Sequence, residues 1–114
     1  MDIGGIGEFS LIASIRRRME GKYPREVLLG IGDDCALLAP SGYPRVWTVD
    51  AAVAEVHFSQ VYMSLPDIGY RAFMAAASDV AAMGGRAVAA LSALVLPIDL
   101  TDAALTLLIG GLAE

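Results

Sequence analysis

Apolar side chains recur every three or four positions from Glu8 to Glu20, where Phe9, Ile12, Ile15 and Met19 are interleaved with Arg16, Arg17 and Arg18. That spacing predicts an amphipathic helix, which Gly21 ends. Val27 to Ile31 is a short apolar run closed by Gly32, and Cys35 to Leu38 is a second. Each reads as a strand, followed by a turn from Pro40 to Pro44. From Arg45 to Asp50 the period becomes two: Val46, Thr48 and Asp50 fall on one side, Trp47 and Val49 on the other. A third strand is predicted there, carrying Thr48 and Asp50 on one face.

Ala51 to Met63 has no clean period and reads as a connecting loop. Ser64 then stands as the cap of a long helix with Asp67 in its first turn, running to about Met83 before Gly84 and Gly85 stop it. Ile68, Ala72, Ala75, Ala76 and Asp79 are three or four residues apart on it, and its alanines suit close approach to a sheet. Ala87 to Leu96 reads as a buried strand, although a helix would also accept its alanines, and Thr101 is placed to cap a last helix. The predicted order is α-β-β-β-α-β-α. It lacks the regular alternation of a doubly wound parallel sheet, so the expected fold is α+β, a mixed β-sheet with helices on one face.

At 114 residues the chain is expected to be a single domain, 1–114. It stops in or just after its last helix, without the strand to which such an element would lead. The expectation is a truncated N-terminal domain whose C-terminal domain is absent. Hydrophobic residues make up 56% and charged residues 18%. That excess of apolar surface implies cover from another subunit or from further chain. Eight basic against thirteen acidic side chains give 8 − 13 = −5, which argues against a nucleic-acid partner. The longest apolar run, from Arg86 to Pro97, is about half the ~20 residues of a membrane helix, so no membrane span is expected. Cys35 is the one cysteine and the N-terminus has no signal-peptide pattern, both of which fit a cytoplasmic protein.

Candidate chemistry lies in the carboxylates. Asp33 and Asp34 sit in a Gly-Asp-Asp turn, Asp50 ends the third predicted strand, and Asp79 interrupts an alanine-rich helix. If Asp79 is buried or half-buried, it needs a cation or donors to offset its desolvation, and a hard divalent metal on carboxylate oxygens is the economical partner. Each residue also has an ordinary reading. Asp33 and Asp34 suit a plain turn, Asp50 a cap or a solvated strand end, and Asp79 an ion pair with Arg71 or Arg86 or a water-facing position. His57 alone makes no metal site. There is no P-loop and no Gly-x-Gly-x-x-Gly, so phosphate would have to be held by metal ions and backbone amides.

Five stretches together resemble a known family: Gly7-Glu8-Phe9-Ser10-Leu11-Ile12, the run from Gly30 through Gly32-Asp33-Asp34 to Leu38, Thr48-Val49-Asp50, Val56-His57-Phe58, and Ser78-Asp79 through Met83-Gly84. They are similar to the N-terminal part of thiamine-monophosphate kinase, in the superfamily of aminoimidazole-ribonucleotide synthetase. The resemblance implies transfer of the γ-phosphoryl of ATP to thiamine monophosphate, with Mg2+ ions held by aspartates. By the same resemblance Asp34, with Asp33 beside it, Thr48, Asp50 and Asp79 are metal ligands, and His57 touches thiamine phosphate. It further implies a homodimer formed through the sheet, and inactivity of the fragment alone. Two positions depart from the family pattern: Val49 stands where Thr or Ser is common, and Glu55 stands where glycine is usual. The 114 residues end before the family's Gly-Gly-Asp-Thr strand. The competing readings are a non-catalytic dimerisation module and a selenophosphate synthetase-like relative with another phosphate acceptor.

Overall fold

The structure, a computed structural model, describes residues 5–114. It contains α1 (Glu8–Met19), β1 (Val27–Leu29), β2 (Leu37–Leu38), α2 (Leu65–Ala82) and α3 (Asp102–Leu112). The chain falls into two compact units. One comprises Met1–Arg45 with Val88–Asp102, the other Val46–Ala87 with Ala103–Glu114.

In the first unit, α1 starts at Gly7, whose carbonyl accepts the amides of Ser10 and Leu11 at 3.0 and 3.1 Å. Glu8 lies in its first turn and Arg16, Arg17 and Arg18 in its last, the arrangement that complements the helix dipole. Arg18 bonds back to Ser14 and reaches Asp102 at 3.4 Å. No residue of α1 is fully buried: Ile15 and Met19 are half-buried, while Phe9 is 87% exposed, so its apolar stripe is only partly covered. β1 and β2 pair antiparallel, Val27 with Leu38 and Leu29 with Leu37, with an irregularity between. The Tyr23 hydroxyl accepts the Ile31 amide at 3.1 Å, and its ring packs so near Gly30 that a Cβ there would lie 2.7 Å from Cε2.

The second unit has a small core of Ile68, Leu105 and Ile109. Glycines let α2 and α3 meet backbone to backbone. A Cβ on Gly69 would strike the Leu108 carbonyl and one on Gly111 the Pro66 carbonyl. The cap of α2 is reciprocal: Ser64 Oγ accepts the Asp67 amide at 3.3 Å and donates to Asp67 Oδ2 at 2.5 Å. Its other end is a Schellman turn. Gly84 takes φ +73°, the Gly84 amide donates to Ala81 and the Gly85 amide to Val80, both at 2.9 Å.

The α+β character holds, and α1, α2 and α3 begin and end within a residue or two of their predicted limits. The sheet differs. Among the described residues it is a two-stranded antiparallel ribbon rather than a mixed sheet with helices on one face, and the order is α-β-β-α-α. Arg45 to Asp50 and Ala87 to Leu96 are not strands. A strand exists by its ladder hydrogen bonds, and neither segment joins the β1–β2 ladder. The second of these is not buried either, with Val95 98% exposed. No helix among the described residues is long and apolar enough to cross a membrane.

Candidate functional site

The predicted site residues fall on both units, and each unit builds its own geometry. In the first, Gly32 takes φ +135° and turns the chain after β1, bringing the Arg16 guanidinium close to its backbone. Asp33 and Asp34 follow, both exposed, and Asp33 Oδ1 accepts the Asp34 amide at 2.8 Å. This bond is purely local, between adjacent residues, and the Asp34 carboxylate stands at the surface.

In the second unit Thr48 and Asp79 come together across 31 residues of sequence. Thr48 Oγ1 donates to Asp79 Oδ2 at 3.3 Å. Asp79 is exposed, so the desolvation argument that demanded a cation for it does not apply. The solvated carboxylate is partnered by a hydroxyl, and among the described residues it forms no ion pair with Arg71. Asp50 Oδ1 accepts the Ala51 amide at 2.9 Å.

Asp50 also lines an open pocket with His57, Phe58, Ile68, Arg71 and Ala72. The 53–58 turn sets the histidine. The amides of Val56 and His57 donate to the Val53 carbonyl at 3.1 and 2.8 Å, and the Glu55 amide donates to Phe58 at 2.7 Å. Glu55 carries this turn at φ +60°, in the left-handed region. His57 Nδ1 accepts the Val53 amide at 3.0 Å, so in the neutral ring the proton sits on Nε2. Nothing in the sequence context of Arg71 marks it as a site residue. The signal that finds it is helical spacing, since Ile68, Arg71, Ala72 and Ala75 form one face of α2 and all line the pocket.

Asp33 and Asp34 on the first unit, and Thr48, Asp50 and Asp79 on the second, carry oxygen donors, the kind that suits magnesium better than copper. Among the described residues no three His, Cys, Asp or Glu side chains gather closely enough to form a metal cage. Magnesium does not require one, since it commonly takes one or two carboxylates and completes its shell with water and phosphate. On donor chemistry, and on the convergence of Thr48 with Asp79, the residues fit that ion.

The class comes from the sequence comparison, for a chain of α+β character with a Gly-Asp-Asp turn on its first unit and Thr48 bonded to Asp79 on its second. Residues 32–114 match the model for the N-terminal domain of AIR synthase related proteins, and the chain belongs to that family. It is similar to the thiamine-monophosphate kinase of Bacillus subtilis (strain 168), 40% identical over 108 residues that cover 94% of this chain and 33% of the relative. The Mycobacterium tuberculosis (strain H37Rv) protein of that name is 33% identical over 96% of this chain and 32% of the relative. The Escherichia coli (strain K12) protein is 44% identical over 68% of this chain and 24% of the relative. The chain thus spans about a third of the length of the curated relatives it matches most fully. No solved structure matches it.

Proposed function

We propose that this chain is the N-terminal part of an enzyme that phosphorylates thiamine monophosphate with ATP to give thiamine diphosphate. The observation that carries the reading is the similarity to thiamine-monophosphate kinase along 94% of the chain, with the Gly-Asp-Asp turn, Thr48, Asp50, His57 and Asp79 all inside residues 32–114 that match the family model. In such a transfer a phosphate oxygen of the acceptor attacks the γ-phosphorus of ATP in line, the bond to the β–γ bridging oxygen breaks, and ADP leaves. A phosphate monoester is largely dianionic near neutral pH, so its oxygen needs no strong base to attack. That agrees with a site that offers ligands and donors but no nucleophile.

Thr48, Asp50 and Asp79 would hold magnesium on the second unit, and Asp34, with Asp33 beside it, is a ligand position on the first. When bound, magnesium neutralises phosphate charge and orients the transferring group. The protein's own part is positional. The Thr48 hydroxyl holds Asp79, the Ala51 amide holds Asp50, and the 53–58 turn presents His57 to the acceptor. The enzyme is a cytoplasmic homodimer paired through the sheet-bearing face. The 114 residues alone are expected to be inactive, the relatives being about three times as long as the stretch matched.

The test is turnover of ATP and thiamine monophosphate by the intact protein across a magnesium titration, beside Asp50→Asn and Asp79→Asn. Each substitution should lower kcat/KM on the order of a hundredfold and raise the magnesium concentration needed for half-maximal rate. His57→Ala should raise KM for thiamine monophosphate more than for ATP. Absence of thiamine diphosphate among the products would remove the function. An unchanged magnesium dependence in both Asp variants would remove the assigned ligand roles.

A further inference from the structure

The second unit is poor in positive charge. Across Val46–Ala87 and Ala103–Glu114 only Arg71 and Arg86 are basic, against Asp50, Glu55, Asp67, Asp79 and Glu114, so its formal charge is 2 − 5 = −3. Arg86 does not line the pocket. Arg71 does, with Asp50, His57 and Phe58. Arg71 is exposed and, among the described residues, makes no hydrogen bond or ion pair, not even with Asp50, which lines the same pocket.

An arginine on a helix surface is ordinarily just solvated. Here it is the one cation in a pocket whose histidine is already oriented. The bond from the Val53 amide to His57 Nδ1 leaves Nε2–H as the donor available to a ligand. A planar fork of N–H donors and a second N–H donor on one pocket suit a tetrahedral anion, because a guanidinium can grip two phosphate oxygens at once. A phosphate monoester brings roughly −1.5 to −2 charge. Placed in a unit that is already negative, it needs a cation, and Arg71 is the side chain that supplies one. The phosphates of ATP, by contrast, share their charge with metal held on carboxylates.

We propose that Arg71 binds the phosphate group of the acceptor substrate, with His57 as its neighbour in the pocket. This inference rests on the reading of the protein as a thiamine-phosphate kinase. It makes Arg71 the residue by which the site distinguishes the phosphorylated acceptor from free thiamine. Arginine and lysine are not equivalent in this role, since an ammonium gives a point charge but not the two-oxygen grip.

The experiment measures dissociation constants of thiamine monophosphate, thiamine and ATP by titration calorimetry on the intact protein, for wild type, Arg71→Gln and Arg71→Lys. Loss of a charge-assisted bond predicts that Arg71→Gln weakens thiamine monophosphate at least about tenfold. Thiamine and ATP should stay within about twofold, and Arg71→Lys should recover part of the loss. Because Arg71 is exposed, the melting curves of the variants should overlay that of wild type. Equal weakening of thiamine and thiamine monophosphate would show a residue that only shapes the pocket, and overturn the proposal. Weakening of ATP alone would overturn the acceptor assignment. Failure of wild type to bind thiamine monophosphate would overturn the kinase reading itself, a result distinct from the other two.

Discussion

Glu55 is the residue at which sequence and backbone pull in different directions. The resemblance implies glycine at this position, and the 53–58 turn holds it at φ +60°, where a side chain is strained by roughly 1–2 kcal/mol. Glu55 accepts that strain, and the turn still delivers the Val53 amide to His57 Nδ1. Replacing Glu55→Gly should therefore stabilise the protein by about 1 kcal/mol, the relief of strain exceeding the extra entropy of the unfolded chain. Urea unfolding would read this as a higher midpoint with unchanged slope, whereas a lower midpoint would mean that the glutamate side chain contributes more than the backbone loses. The departure at Glu55 was legible in the sequence. The bond that the turn makes to the histidine ring was not, because it depends on a backbone course that residue types alone do not specify.

The helices show the same division among elements. The cap of α2 at Ser64 and Asp67 and its Gly84-Gly85 stop are local features, satisfied within a few residues, and both could be read from residue identity. Helix packing could not. Gly69, Gly110 and Gly111 look alike in sequence, but Gly69 and Gly111 sit at the α2–α3 contact while Gly110 faces open space. Gly69→Ala should destabilise by about 1–3 kcal/mol, because its Cβ would meet backbone, which cannot rotate away. Gly110→Ala should instead stabilise by about 0.5–1 kcal/mol, since it removes an unfavourable helix-interior glycine at no steric penalty. Thermal melts of the two variants should move in opposite directions. A common shift would mean that the two helices do not meet at Gly69.

Across the whole molecule, apolar surface is the outstanding quantity. Among the described residues only Ile68, Leu105 and Ile109 are buried hydrophobics, while Phe9, Trp47, Val49, Leu91 and Val95 are largely open to solvent. Such surface calls for cover, from the rest of a longer protein or from a second copy, and the proposed homodimer makes the second testable. Sedimentation velocity should show a dimer at micromolar concentration, and Leu28→Lys, on a β1 side chain 59% exposed, should shift the protein toward monomer. A monomer at every concentration would remove the homodimer.

The sequence by itself determined the three helices with their ends and the two short apolar strands, because these depend on periodicity and on neighbours a few residues away, and its motifs carried the resemblance to the family. Only the tertiary structure decided that the segments at Arg45 and Ala87 pair with nothing in the β1–β2 ladder, that Asp79 is solvated beside Thr48, and that Arg71 shares a pocket with Asp50 and His57. Strand pairing and burial are properties of what lies opposite a residue. What lies opposite is set by contacts between distant parts of the chain, and those leave no periodic mark on it.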